Sequence, residues 1–203
     1  QILGYVEDPF VIVMEYVPRG DLLTSLHVLR RRDKVRIMRD CLQALAYLHN
    51  RKPQILMHRD IKLSNILLTR SRVAKIADFG LSRLCEHSVA TRSRNDLAVM
   101  GADDCSLPED MTRSVGTDRY KAPECSNDTY TCKVDIYSMG IVLYELFESR
   151  RYVRGDGFRW FWAPKWVRKM VVEQMTCVRA SDRATAICLL RLINRKLPHL
   201  STS

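Results

Sequence analysis

An α+β fold, mainly helical, is what the patterning of this chain predicts, on three observations. Two β-branched runs stand at its beginning, and two shorter ones form a hairpin near residue 70. A segment at 34–50 is apolar in steps of three and four. A segment at 133–147 is apolar almost all round, the pattern of a helix buried on every side. At 203 residues the chain is long enough for one sizeable domain, or for most of a larger one.

Taken in order, residues 1–6 and 10–17 read as strands. Phe10-Val11-Ile12-Val13-Met14 is a continuous apolar run after the turn Glu7-Asp8-Pro9, and Pro18 and Gly20 stop it. Asp21 can N-cap a short helix to about Arg30, and Asp33 can cap the helix at 34–50. The apolar positions of that second helix are Val35, Met38, Leu42, Leu45, Ala46 and Leu48, and Pro53 follows its end. Ile55-Leu56-Met57 leads into a polar stretch. Ile66-Leu67-Leu68 and Val73-Ala74-Lys75-Ile76-Ala77 are two strands joined by the turn Thr69-Arg70-Ser71-Arg72, which puts Asn65 and Asp78 at opposite ends of a hairpin. Residues 81–116 are polar, and a connection of that length usually carries a function. A last helix is expected at 183–194, with Ile187, Leu190 and Ile193 on one face.

The net charge of +10 is spread along the chain. The short groups Arg30-Arg31-Arg32 and Arg150-Arg151 read as solvated surface. No basic stripe is interleaved with stacking aromatics, so a nucleic-acid partner is not expected. No apolar run has the length of a membrane span. Seven cysteines are scattered without CxxC spacing or a His cluster, the usage of reduced thiols inside a cell, and a cytoplasmic location is expected. Cys41 and Cys188 lie in apolar helical patterns and are expected in the core. A chain that opens at Gln1 directly on strand-like sequence reads as a fragment, with no targeting peptide visible.

The chemistry concentrates in His58-Arg59-Asp60-Ile61-Lys62-Leu63-Ser64-Asn65, followed after thirteen residues by Asp78-Phe79-Gly80. A carboxylate that can orient a hydroxyl, a lysine, and two oxygen ligands for a hard cation make up most of a phosphoryl-transfer site.

These motifs together resemble the eukaryotic protein kinase family. His58-Arg59-Asp60 with Asn65 resembles its catalytic loop, and Asp78-Phe79-Gly80 its magnesium motif. Gly116-Thr117-Asp118-Arg119-Tyr120-Lys121-Ala122-Pro123-Glu124 resembles the end of the activation segment, so that this segment runs over 78–124. Asp135-Ile136-Tyr137-Ser138-Met139-Gly140 resembles the start of the central helix, and Val13-Met14-Glu15-Tyr16-Val17 the strand and hinge beside adenine. The likeness is firm over about 1–149 and loose beyond. It implies a kinase-like fold: residual N-lobe strands and hinge at 1–17, and a helical C-lobe at 18–203.

The resemblance implies a protein Ser/Thr kinase using ATP and Mg2+ on protein substrates. Asp60 would orient the substrate hydroxyl and take its proton late, and Lys62 would neutralise the transferring phosphoryl group. Lys62 and Thr117 both point to Ser/Thr rather than Tyr substrates, and the hinge and Asp135-Ile136-Tyr137-Ser138 lean toward the tyrosine-kinase-like group of Ser/Thr kinases. Asn65 and Asp78 would hold the metal. The Glu15 carbonyl and the Val17 backbone would bond adenine, with Met14 as gatekeeper, Leu67 under the ring and Asp21 near the ribose. A phosphate placed on Thr112 or Ser114 by an upstream activating kinase would pair with Arg59. His58 and Phe79 are packing residues, and Gly80 completes the motif of Asp78 and Phe79. Asp135 is a buried acceptor for catalytic-loop N–H groups, and Glu124 would pair with Arg183, although Ala184 stands where the family has proline.

No Gly-rich loop, strand lysine or partner glutamate precedes the hinge, so β-strands that they would cover are expected to expose apolar faces. The alternative reading is a catalytically inactive kinase-like fragment that binds or scaffolds other proteins. Trp160, Phe161, Trp162 and Trp166 suit either the lower-lobe core, the favoured reading, or a docking surface.

Overall fold

The computed structural model describes residues 2–86, 105–106, 118–126 and 129–198. The fold is α+β and mainly helical, and the described residues form four separate two-stranded antiparallel sheets. In order the elements are β1 (Ile2–Val6), β2 (Val11–Met14), α1 (Leu22–Ser25), α2 (Arg31–Leu48), β3 (Gln54–Met57), β4 (Ile66–Leu68), β5 (Ala74–Ile76), β6 (Arg83–Glu86), β7 (Cys105–Ser106), β8 (Thr129–Tyr130), α3 (Lys133–Glu148), α4 (Lys165–Met170) and α5 (Ala186–Lys196).

Helix α3 is the axis: every residue from Lys133 to Glu148 is buried. Its apolar residues face helices and loops all round, so no polar face is needed. Around it pack α2, which also meets α5, and the single π turn Val171–Met175 that continues α4. That turn lies so close that a Cβ on Gly140 would stand 2.6 Å from Thr176 Cγ2 and 3.1 Å from Met175 Cβ, which is why glycine is needed there. Helix α2 turns Ile37, Met38, Cys41, Leu42 and Leu45 into the same core.

Several boundaries differ from expectation. Helix α2 starts at Arg31, so Asp33 is its third residue and not its cap. There the carboxylate accepts the Arg30 N–H (3.1 Å) and Arg72 Nη1 (2.6 Å), tying the helix start to the turn between β4 and β5. Asp21 does cap α1, accepting the Thr24 N–H at 2.8 Å. Helix α5 begins after a Thr185 cap, and its buried stripe is Ala186, Leu189 and Ile193, with Ile187 and Leu190 only half-buried. This rotation leaves Cys188 exposed, correcting its expected place in the core, whereas Cys41 is buried. Strand β6 falls within the long polar connection; it pairs Arg83–Glu86 with Met57–Gln54.

The apolar strands β1 and β2 are exposed on both faces, with Ile2, Leu3, Tyr5, Phe10, Ile12 and Met14 open to solvent. The aromatic group divides. Trp160 and Trp166 pack against the core, and Trp160 sits with Tyr144 and Phe158. Phe161 and Trp162 face solvent.

Candidate active site

The catalytic-loop stretch is fixed from beneath by α3. Asp135, fully buried in its first turn, accepts the His58 N–H (2.9 Å) on Oδ2 and the Arg59 N–H (2.8 Å) on Oδ1. Its Oδ2 also meets His49 Nε2, at the C-terminal end of α2, at 2.8 Å. Two loop N–H groups and one imidazole thus satisfy a carboxylate that burial alone would penalise. Arg59 is held at φ 68°, and Asp78 at φ 64°. Left-handed backbone at non-glycine residues costs about 1–3 kcal/mol and persists where surrounding bonds enforce it, commonly at functional sites.

His58 is wholly buried, and burial holds its pKa down, so the ring is neutral. Its Nδ1 accepts the Asp60 N–H (3.3 Å), which leaves the proton on Nε2 to be donated to the Ala77 carbonyl (3.1 Å). Phe79 meets the same ring edge-on at 4.8 Å. His58 therefore splints the Asp60 and Asp78 segments together. The Ala77 N–H donates to the Asn65 carbonyl at 2.8 Å, extending the β4–β5 ladder by one step. Asn65 and Asp78 consequently lie at the same, open end of that hairpin, a correction to the expected opposite ends: antiparallel pairing of Ile66 with Ile76 brings their neighbours side by side.

Within the loop, Asp60 Oδ2 accepts Lys62 Nζ (2.6 Å) and Asn65 Nδ2 (2.9 Å). Asn65 Nδ2 also donates to the Asp60 carbonyl (2.9 Å), which turns the amide so that Oδ1 is its outward acceptor. Asp78, exposed, accepts the Gly80 N–H at 3.2 Å on Oδ1. Among the described residues no group of three or more His, Cys, Asp or Glu could cage a metal. An amide oxygen and a carboxylate are hard donors, and they fit a small divalent cation that keeps waters and phosphate oxygens as its other ligands.

The stretch after β2 lies along β4. The Arg19 N–H donates to the Leu68 carbonyl, the Leu68 N–H to the Gly20 carbonyl, and Asp21 bridges to Leu67. Glu15 receives Lys75 Nζ on both carboxylate oxygens, at 2.5 and 2.8 Å. Met14 is exposed and Val17 half-buried. The Asp21 carboxylate is engaged on Oδ1 by its own helix. Farther off, Glu124 takes a two-pronged contact from Arg183, Nη1 to Oε1 at 2.5 Å and Nη2 to Oε2 at 2.8 Å. Thr112, Ser114 and Thr117 lie outside the described residues.

Sequence reasoning missed His49, Lys75 and Glu145. The partners of His49 and Lys75 are far away in sequence, and no local signal marks those two. For Glu145 one existed: an acid inside a fully buried helix must find donors. It accepts Tyr120 Oη at 2.5 Å and the Tyr152 N–H at 2.9 Å, and meets Arg119 Nε at 3.2 Å. Burial and this acid push the Tyr120 hydroxyl up to about 12.

The His49–Asp135 contact makes a pH prediction. Burial alone would lower the His49 pKa, but the bonds from Asp135 and Cys132 outweigh it and raise the value to about 10. Burial would likewise raise Asp135, yet His49 and the two backbone donors hold it below the usual carboxylate range. A raised histidine contributes stability that is complete below its unfolded value, about 6.5, and is lost as pH climbs through the folded one. The depressed aspartate contributes above its unfolded value, about 3.9, and loses that as pH falls. Thermal melts should therefore show the wild type losing stability relative to His49→Gln as pH rises above about 6.5. Parallel curves up to pH about 10 would remove the charge from this pair.

The buried axis, the loop anchored on it and the paired acid, amide and lysine define a phosphotransferase-like lower lobe. The chain belongs to the protein kinase family: the model of the protein kinase domain matches residues 3–163. It is similar to LysM domain receptor-like kinase 10 of Oryza sativa subsp. japonica, 34% identical over 161 residues, 75% of this chain and 24% of that protein. It is also similar to chitin elicitor receptor kinase 1 of Arabidopsis thaliana, 35% identical over 157 residues, 74% of this chain and 22% of that protein. A third relative is the calmodulin-binding receptor-like cytoplasmic kinase 3 of Arabidopsis thaliana, 36% identical over 161 residues, 75% of this chain and 28% of that protein. The chain spans about a quarter of the length of these curated relatives. Among the described residues no helix is long and apolar enough to cross a membrane.

Proposed function

We propose that this chain is the phosphate-transfer part of an ATP- and Mg2+-dependent serine/threonine protein kinase. The observation that carries the reading is the convergence of Lys62 Nζ and Asn65 Nδ2 on one oxygen of Asp60, at 2.6 and 2.9 Å. That oxygen is occupied, and Asp60 Oδ1 is left to accept the bond of a substrate hydroxyl. The acid aims the hydroxyl at the γ-phosphate and takes its proton as the bond forms. Lys62 reaches the same place with a positive charge, which stabilises the charge on the transferring group. Asn65 Oδ1 and the Asp78 carboxylate would hold Mg2+, whose chemistry is to neutralise and bridge the phosphates. Glu15 and Val17 would offer the adenine backbone contacts, and Met14, Leu67 and Asp21 would surround the base and ribose; the Lys75 bond to the Glu15 side chain and the Asp21–Leu67 bridge support this reading.

In this reading residues 1–17 are the remaining upper-lobe strands and hinge, 18–203 the lower lobe, and Thr112 or Ser114 the target of an upstream kinase acting through Arg59. The substrate side is a protein, and the place of action is inside the cell, which six free cysteines among the described residues support. A specific observation favours the alternative of a non-catalytic binding module: the exposed apolar faces of β1 and β2. Radiolabelled ATP and peptides differing only in Ser, Thr or Tyr separate the readings. Transfer to Ser and Thr, abolished by chelating the metal, is expected. Transfer to Tyr alone would overturn the Ser/Thr assignment, and labelling no greater than that of Asp60→Asn would favour the binding module.

A further inference from the structure

The loop from Phe161 to Ala163 is held from both sides. The Glu148 carboxylate, buried at the end of α3, accepts three consecutive N–H groups, those of Phe161 (2.8 Å), Trp162 (3.0 Å to Oε1, 3.2 Å to Oε2) and Ala163 (2.9 Å). Arg168 on α4 binds the carbonyls, Nε to Ala163 at 2.7 Å and Nη2 to Phe161 at 3.1 Å. Trp160 is anchored in the core just before it. Yet Phe161 is 65% exposed and Trp162 77% exposed. A loop with its backbone satisfied at each N–H and its neighbours packed has no folding reason to present two large adjacent rings to water. Rigid aromatic side chains lose little entropy on docking, and they are the anchors that dominate protein interfaces.

The charge around the rings tells what docks there. Between Arg150 and Lys169 the sequence carries seven Lys or Arg and one acid, Asp156. Arg159 and Lys165 flank the rings and are exposed. Arg168 is already bound to loop carbonyls. The two cations that flank the rings neutralise too few phosphates for a strong nucleic-acid grip at this spot, whereas they suit carboxylates beside a bulky apolar group. We propose that Phe161 and Trp162, with Arg159 and Lys165, form a docking surface for an acidic segment of another protein that inserts an apolar side chain between its own carboxylates. This surface is separate from the phosphate-transfer residues, and its occupancy does not depend on transfer activity.

The test is fluorescence anisotropy with a labelled peptide of alternating Glu and Leu, alongside a Gln-for-Glu version, a Gly-for-Leu version and a labelled poly(U) strand. The wild-type chain should bind the Glu/Leu peptide saturably and each substituted peptide more weakly. Phe161→Ala/Trp162→Ala and Arg159→Glu/Lys165→Glu should each weaken that binding by about tenfold or more. Tyr47→Ala, which removes an aromatic ring 69% exposed on α2, should leave it unchanged. Melting curves identify variants that remain folded, and if the double alanine variant does not, Trp162→Ser alone replaces it. Absence of saturable binding by the wild type, binding indifferent to the ring substitutions, or tighter Trp162-dependent binding of poly(U) would each overturn the proposal.

Discussion

Replacing Arg183 by methionine should destabilise the chain by about 3–5 kcal/mol, the usual result of removing one partner of a buried ion pair. The Arg183 side chain is 0% exposed, and its guanidinium makes two bonds to Glu124 and one each to the carbonyls of Cys177, Lys133 and Val178. It also lies over the Tyr137 ring at 4.9 Å. Methionine keeps much of the apolar stem, so the loss isolates the polar network rather than a cavity. Three carbonyls and a half-buried carboxylate lose the donor that Arg183 supplies, in a place where water enters poorly. Through Glu124 the same arginine ties the end of the 118–126 segment to α3 and the 176–183 turn, so local order there should fall with global stability. For a chain of this size each kcal/mol is about 2–4 °C, so the melting temperature should drop by roughly 6–20 °C. Glu124→Gln should cost less, because that carboxylate is partly solvated and an amide still accepts one bond. A loss below about 1 kcal/mol for Arg183→Met would show that the site relaxes and that the network is not a structural tie.

What the residues disclosed follows the range of the forces involved. The helix at 133–147 was legible because its burial is complete, and a sequence apolar on all sides has no other stable use. The β4–β5 hairpin was legible because its two strands are separated by one turn. The pairing of Glu124 with Arg183 was readable only from the motif, not from local pattern. The β3–β6 pair joins residues near 55 to residues near 85, and nothing in the polar stretch between announces the register. The same holds for His49 with Asp135 and Lys75 with Glu15: a charge pair that forms across 86 or 60 residues leaves no periodic trace. The start of α2 differs from expectation because its cap position is Arg30 and its first two residues are Arg31 and Arg32, none of them a capping type, and the nearest capping type, Asp33, stands one turn too far in. For the tryptophan stretch the favoured core reading holds for Trp160 and Trp166 only, since neighbouring residues serve opposite ends: Trp160 packs on the core while the backbone of Trp162 is held by the acid at the end of α3 with its ring in solvent.

Under the proposed kinase reading, Asp60→Asn should lower kcat by about 10²–10⁴-fold while leaving the chain folded and its ATP affinity little changed. The structure says why an amide fails where it nearly fits. Asp60 Oδ2 is surrounded by donors, Lys62 Nζ and Asn65 Nδ2, so the asparagine must turn its single oxygen toward them. Its NH2 then occupies the place of Oδ1. There it can donate a hydrogen bond but cannot accept one, so the substrate hydroxyl is neither oriented nor relieved of its proton. The opposite amide orientation would set NH2 against two donors and is excluded by the same neighbours. Because the side-chain volume is unchanged and the Asp60 N–H still reaches His58 Nδ1, stability should shift by only about 1 kcal/mol. Lys62→Met should act differently: the acid keeps its hydroxyl-accepting oxygen, and the loss falls on the charge opposite the phosphoryl group. Steady-state transfer to a Ser peptide, with ATP varied, separates the two effects. A kcat for Asp60→Asn within about tenfold of the wild type would mean that this carboxylate does not act on the hydroxyl, and the paired lysine and amide around it would then be a structural clasp rather than the centre of a reaction.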